Sequence, residues 1–307
     1  METSQTKEAL ADASSTGGTR LALNALFMGA MGIALAPIFV RLSPVGPSAT
    51  AFWRLALSLP ALIAWMQLQE RSAAAPRRPA SRNDRLRLAA AGLFFAGDLA
   101  FWHWSIKLTS VANATLLANF APIFVALGGW LFFRQRVSLG FAVGLAIALG
   151  GMMLLVGQSF SIDSQHLWGD LLGLITAAFY GGYILAVSEL RREFSTATIM
   201  SWSGAVSTVV LLGVAVISGE DLFPAIPSGW LVLLGLALIS HFGGQGLIAF
   251  ALAKLPAAFS SVALLVQPMA AALFAWLILG EAMGANQALG GAIALGGITI
   301  ARRASRL

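Results

Sequence analysis

The sequence predicts an all-α integral membrane protein of ten transmembrane helices, built as two inverted five-helix repeats with both termini cytoplasmic. Three observations predict it. Of 307 residues, 58% are hydrophobic and only 10% charged. A soluble domain averages about 25% charged residues, so this chain cannot cover itself with a water-compatible surface. Ten stretches of about 20 mostly apolar residues occur, each long enough to cross a bilayer as a helix. Continuous apolar runs of that length match no β-barrel pattern. Finally, the chain repeats itself: Gly144 to Gly151 reads GLAIALGG and Gly290 to Gly297 reads GGAIALGG, an offset of 146 positions. The same offset carries Pro122 onto Pro268, Trp130 onto Trp276, Leu131 onto Leu277, Thr115 onto Ser261 and Gly97 onto Gly243. Five crossings per copy, an odd number, force the second copy into the bilayer upside down.

Taken in order, residues 1–20 are polar, small and mixed in charge. They lack the basic start and apolar middle of a signal peptide and predict a disordered cytoplasmic tail. The first repeat, 21–157, carries spans at 21–40, 47–68, 88–107, 111–133 and 138–157. A connecting loop at 158–168 leads to the second repeat, 169–301, with spans at 169–188, 196–218, 230–252, 257–279 and 285–301. A basic tail, 302–307, follows. Only the link over 69–87 is long and polar; the other connections are tight turns. Lys and Arg check the count. Sixteen fall on the side that holds both termini and only two, Arg41 and Lys107, on the other. That bias sets the termini in the cytoplasm. It also accounts for a pI near 10.7 without a nucleic-acid partner. The absence of cysteine removes disulfides, iron–sulfur clusters and thiol chemistry. Glycine pairs Gly150–Gly151 and Gly296–Gly297, with Gly140 and Gly144, suit close helix contact and mark the fifth and tenth spans as scaffold.

Ionisable groups inside a membrane cost roughly 2.5–3.5 kcal/mol each even on the gentlest scale, so each is a functional candidate. Four lie within spans: Arg54, Asp98, His103 and His241. Asp98 is about ten residues into its span, on the order of 15 Å deep, and His241 reaches a similar depth from the other side. The repeat maps Asp98 onto Gly244, beside His241 and Gln245. Equivalent depth in symmetry-related helices is what a shared central site needs. Both helix faces, with Trp102 next to Asp98, read as cavity lining; the competing role for Asp98 is a hydrogen-bonding group between helices. A mid-membrane carboxylate or imidazole can change charge as a cavity switches sides, which makes Asp98 and His241 the candidates for proton coupling. His103 lies nearer the outer end, among Trp102 and Trp104, and reads as interfacial. Arg54 reads as a structural charge. Pro122 and Pro268 each remove a backbone donor, freeing the carbonyls of Ala118 and Leu264. Asn119 and Gln267 stand beside those breaks, which serve gating, binding or both. Tyr180 and Tyr183 flank Gly181–Gly182 mid-span and, with Trp102, Phe179 and Trp202, suit an aromatic-lined pocket. Trp65, Trp168 and Trp230 sit at span ends as interface anchors.

Several motifs then fall in a fixed order. FWRL occupies Phe52–Leu55, and IKLTSVANAT at Ile106–Thr115 is echoed by AKLPAAFSS at Ala253–Ser261. Each junction leads into a helix with a central proline, and LILGE at Leu277–Glu281 precedes a glycine-rich last helix. In this order and in both halves, the chain resembles the drug/metabolite transporter superfamily, specifically its EamA-type ten-helix exporters, over nearly its whole length. One departure is Phe133-Arg134-Gln135, where that family often shows Gly-Glu; Gln135 aligns with Glu281, so a carboxylate role is unsupported in the first half. The resemblance implies alternating access of a small-molecule substrate in the bacterial inner membrane, with no cofactor, no metal and a plausible monomer. Agreeing with this, no GxxxxGK[ST] loop occurs. The family moves amino acids, other metabolites or cationic drugs, in export or uptake; the chain is most similar to bacterial exporters of neutral or aromatic amino acids. A membrane-embedded enzyme would need clustered acid, base or metal ligands, and neither HExxH nor paired carboxylates are present.

Overall fold

Helix runs through every stretch that hydropathy singled out, and proline sets most of the breaks. The computed structural model describes residues 2–71, 77–109, 111–156, 167–279 and 284–305, and no strand occurs among them. α1 (Glu2–Ala34) and α2 (Ala36–Leu42) part just before Pro37. α3 (Pro47–Ala56) and α4 (Leu59–Glu70) part before Pro60, where the Ser58 hydroxyl donates to the Leu55 carbonyl at 2.7 Å. α5 (Arg82–Leu108) opens on a capping box: the Ser81 hydroxyl accepts from the Asp84 N–H at 3.0 Å and Asp84 accepts from the Ser81 N–H at 3.2 Å. That arrangement satisfies two donors no helical carbonyl can reach. α6 (Val111–Ala118) and α7 (Ala121–Phe133) part before Pro122, and α8 (Leu139–Val156) is unbroken. In the second half α9 (Leu167–Leu190) and α10 (Thr196–Ile217) are continuous. α11 (Gly229–Gly235) widens into a π-helical segment, Leu236–Gln245, before α12 (Gly246–Ala251). α13 (Ala257–Ala263) and α14 (Val266–Leu279) part before Pro268, and α15 (Ala285–Ala304) ends the described chain. Proline explains the four breaks it follows, since its ring clashes with the carbonyl four residues back.

Among the described residues, seven stretches are long and apolar enough to cross a membrane: Gly17–Leu42, Pro47–Glu70, Ala114–Phe133, Leu167–Leu190, Thr196–Ile217, Gly229–Ala251 and Ala257–Ile278. Leu139–Leu155 is a shorter apolar helix. The expected third and tenth spans are helical but fall outside that set. Asp98 and His103 lower the hydropathy of α5, and Asn286, Gln287, Arg302 and Arg303 that of α15. Large apolar side chains on the outer faces are exposed, among them Trp130, Phe132, Val209, Ile217 and Leu231. Such a surface is stable only against lipid. α1 begins at Glu2, within the stretch 1–20 that the sequence assigned to a cytoplasmic tail. A helix already nucleated by its apolar part extends cheaply through Ala, Glu, Leu and Lys. The expected loop at 158–168 lies outside the described residues except for Leu167 and Trp168, as does Glu281.

α8 and α15 run antiparallel with their backbones in contact through glycine. A Cβ on Gly144 would meet the Ala301 nitrogen at 2.5 Å, and one on Gly290 the Leu155 nitrogen at 2.5 Å. A Cβ on Gly151 would meet the Ala294 nitrogen at 2.4 Å, and one on Gly297 the Ala148 nitrogen at 2.3 Å. Each contact recurs when both partners are moved by the repeat offset.

One end of the bundle is polar. Arg77 pairs with Asp84 at 2.9 Å and with Glu193, Arg87 pairs with Glu193 at 2.8 Å, and Arg77 lies over the Phe194 ring at 4.8 Å. These contacts tie the long link to the turn between α9 and α10. At the opposite end Glu220 accepts from the Ala49 N–H at 2.9 Å, and Trp53 packs edge-on to Trp230 at 4.8 Å.

Candidate functional site

The breaks in the helices frame one cavity. It has a volume of about 160 Å³ and lies between the first and second halves of the chain. A water needs roughly 10–15 Å³ of such space, so the cavity has room for a small organic solute. Its wall takes Ala34, Ala36 and Pro37 from the α1–α2 break and Arg54 from α3. Phe95, Asp98 and Trp102 come from one face of α5, Thr115, Ala118 and Asn119 from α6 and its end. The second half contributes Thr176 and Tyr180 from α9, Gln245 from the π-helical segment, and Gln267 and Pro268 from α14.

Six of the eight residues singled out from sequence as substrate-binding therefore line it: Asp98, Trp102, Asn119, Tyr180, Gln245 and Gln267. Pro268 lines it as well, whereas Pro122 is buried in α7 and does not. Tyr183 and His241 stand behind the wall, each 1% exposed. They belong to a stack of rings that includes the lining residues Tyr180 and Phe95. Tyr180 and Tyr183 lie 6.4 Å apart, Tyr183 and Phe95 4.6 Å, and Phe95 and His241 5.4 Å. The Tyr183 hydroxyl donates toward the Met200 sulfur, 3.7 Å away. Neither imidazole nitrogen of His241 has a hydrogen-bond partner.

Local chemistry explains how these side chains are presented. The π-helical segment sits where Gly243, Gly244 and Gly246 weaken α-helix, and α1 presses directly on it. A Cβ on Gly244 would lie 3.0 Å from the Gly29 carbonyl oxygen, and the Ser240 hydroxyl donates to the Gly32 carbonyl at 2.8 Å. The wider turn holds Gln245 at the cavity wall. At the first-half break the Asn119 amide donates to the Thr115 carbonyl at 2.8 Å, so its nitrogen is occupied and its oxygen is not committed by that bond. At the second-half break the Leu264 carbonyl, expected to be freed by Pro268, accepts from the Gln267 N–H at 2.9 Å. A tight turn at the break recovers that acceptor. The Gln267 side-chain nitrogen is buried without a partner.

Lining residues not singled out from sequence for this cavity include Arg54, Phe95, Thr115 and Thr176. For Arg54 the signal was its cost inside a span; it was assigned a structural role, and the structure sets it in the cavity wall, 6% exposed. His103, expected at the interface, is buried at 2% exposure with Nδ1 2.5 Å from the Leu99 carbonyl oxygen. Trp65, expected as an interface anchor, packs on Phe242 at 5.8 Å. Both face inward because α5 and α4 turn those sides to neighbouring helices.

Outside the spans, carboxylates are stabilised as anions. Burial alone would raise the Asp84 carboxyl, but bonds from Ser81 and Ala80 and the nearby Arg77 hold it below its ordinary 3.8. The hydrogen bond from Arg87, outweighing desolvation and aided by Arg77, holds Glu193 below 4.5.

With the geometry in place, likeness to other proteins adds the family. The profile of the EamA-like transporter family matches residues 20–157 and again 167–303. An "uncharacterized transporter" of Archaeoglobus fulgidus is 26% identical over 85% of this chain and 90% of its own length. A "probable terminal-alkyne amino-acid exporter" of Streptantibioticus cattleyicolor is 26% identical over 74% of this chain and 76% of its own. The pseudopaline exporter CntI of Pseudomonas aeruginosa is 27% identical over 53% of this chain and 56% of its own. A solved crystal structure superposes with a TM-score of 0.77 over 95% of this chain and 98% of the other, at 19% identity. That last likeness shows the fold alone.

Proposed function

The chain belongs to the EamA-like transporter family, and from that premise we propose that it is an alternating-access exporter of neutral or aromatic amino acids in the bacterial inner membrane. Its relatives are transporters and exporters, not enzymes. The observation that carries the proposal is the cavity: polar side chains from both copies of the repeat converge where the copies meet. A substrate site at a repeat interface is what alternation about a fixed point requires. Ten crossings and an inverted repeat complete the reading. Its support is the α8–α15 contact, where Gly144–Ala301 answers Gly290–Leu155 and Gly151–Ala294 answers Gly297–Ala148. A two-fold axis across antiparallel helices exchanges partners in that way. Two relatives, the pseudopaline exporter CntI and the probable terminal-alkyne amino-acid exporter, favour export, and the second favours amino-acid chemistry.

Asp98 and His241 are our candidates for energy coupling. Asp98 faces the cavity directly, while His241 stands one ring behind it, stacked on Phe95. The test is flux of an amino-acid panel in proteoliposomes, with and without a pH gradient, for wild type, Asp98→Asn and His241→Gln. Loss of pH-driven net flux with exchange retained at saturating substrate is expected in one of the two. Unchanged pH dependence in both would make the protein a passive carrier, and a wild type that moves no amino acid would refute the substrate class.

A further inference from the structure

Arg54 and Asp98 face the same cavity, carry opposite charges and do not pair. Ion pairs form elsewhere, between Arg77, Arg78, Arg87 or Arg192 and carboxylates near the polar end. Arg54 is 94% buried by the exposure of 6% it retains, and its Nε has no hydrogen-bond partner. The two charges sense each other only through space. We propose that Arg54 and Asp98 are the head-group clamp for a zwitterionic α-amino acid: the guanidinium takes the α-carboxylate and the Asp98 carboxylate takes the α-ammonium. The inference rests on the amino-acid reading above and assigns its specificity to two named residues.

The physical argument is one of unmet demand. A buried guanidinium with open donors is costly unless something anionic reaches it. Asp98 could have met it, yet the two line the same cavity without forming an ion pair. A lone cation would be repelled by Arg54 and a lone anion by Asp98. A zwitterion, neutral overall, satisfies both at once and adds no net charge to the membrane interior. Neighbouring amides match the same polarity. The unpartnered Gln267 Nε2 is a second donor for the carboxylate, and the Asn119 oxygen, its nitrogen tied to Thr115, is an acceptor for the ammonium. Arginine suits the carboxylate better than lysine because its planar fork can bind both oxygens.

The experiment holds the side chain constant and varies the head group. Counterflow of labelled phenylalanine by the full-length chain in proteoliposomes is competed with phenylalanine, phenylalaninamide, phenethylamine and N-acetylphenylalanine. Wild type should prefer phenylalanine to each analogue by about tenfold or more, as expected where buried charges would be left unmatched. Arg54→Gln should bind phenylalanine more weakly and lose its preference over the amide and the amine. Asp98→Asn should lose its preference over the N-acetyl compound while keeping the other two. Arg54→Lys, which retains charge without the fork, should fall between wild type and Arg54→Gln and serves if the glutamine variant does not elute as a folded monomer. Folded variants that keep the wild-type order among the four compounds would overturn the clamp and leave the amino-acid reading standing. A wild type that transports no amino acid would overturn that reading first.

Discussion

At the scale of single residues, exposure to the cavity separates side chains that touch solute from those that hold the wall. Trp102 and Tyr183 carry similar aromatic bulk, but Trp102 lines the cavity and Tyr183 is 1% exposed behind it. Trp102→Ala should therefore weaken large substrates more than small ones, by about 1–3 kcal/mol in apparent affinity across a size series. Tyr183→Ala should instead lower thermal stability, on the order of 3–5 kcal/mol for a buried ring, and depress all substrates equally. Comparison of inhibition constants for glycine and tryptophan, beside melting curves in detergent, checks both. The sequence marked the polar groups of this site well, since each uncompensated polar atom in a span is conspicuous. It marked depth around the helix poorly, which is why His241 and Tyr183 were placed in the lining and Phe95 was not.

Between elements, the α8–α15 seam and the tie across the polar end make separate claims. Gly150 and Gly296 have nothing within 4 Å of an added Cβ, whereas Gly151 and Gly297 have backbone nitrogen at 2.4 and 2.3 Å. Alanine at Gly150 or Gly296 should be neutral or slightly stabilising, by up to about 1 kcal/mol, because it stiffens the unfolded chain. Alanine at Gly151 or Gly297 should destabilise by about 1–3 kcal/mol as the helices are forced apart. Unequal effects at Gly151 and Gly297 would count against the two-fold relation. At the polar end Asp84 and Glu193 have carboxyls held below 3.8 and 4.5. Their contribution is full above those ordinary values and is lost as pH falls below them through the lowered ones. Acid thermal denaturation should thus show a smaller pH dependence in Asp84→Asn and Glu193→Gln than in wild type. The π-helical segment was not legible beforehand: a GGQG run signals weak helix but not the wider turn. The pressure of α1 on Gly244 is a contact between residues more than 200 positions apart.

For the whole molecule, orientation is the exposed claim. The bias of sixteen basic residues to two predicts that both termini and the link over 69–87 lie in the cytoplasm. The chain has no cysteine, so single substitutions are clean probes. Cysteine at Ala225, in the turn between α10 and α11, should react with a membrane-impermeant reagent only from outside, and cysteine at Ser305 only from inside. Ser164 would serve equally but lies outside the described residues.

The sequence by itself determined that the chain is helical and membrane-bound, where its apolar stretches lie, and that Pro122 and Pro268 interrupt two of them. It also supplied the repeat and most of the polar residues of the cavity. Those properties are local: a helix in lipid must satisfy its own backbone, and proline must fail to, whatever surrounds them. Only the tertiary structure decided that Arg54 belongs to the cavity, that Tyr183, His241 and His103 are walled in, and that α1 presses a π-helical turn into the central wall. These depend on which helices meet and how each is rotated, and a run apolar on nearly every side carries little record of rotation.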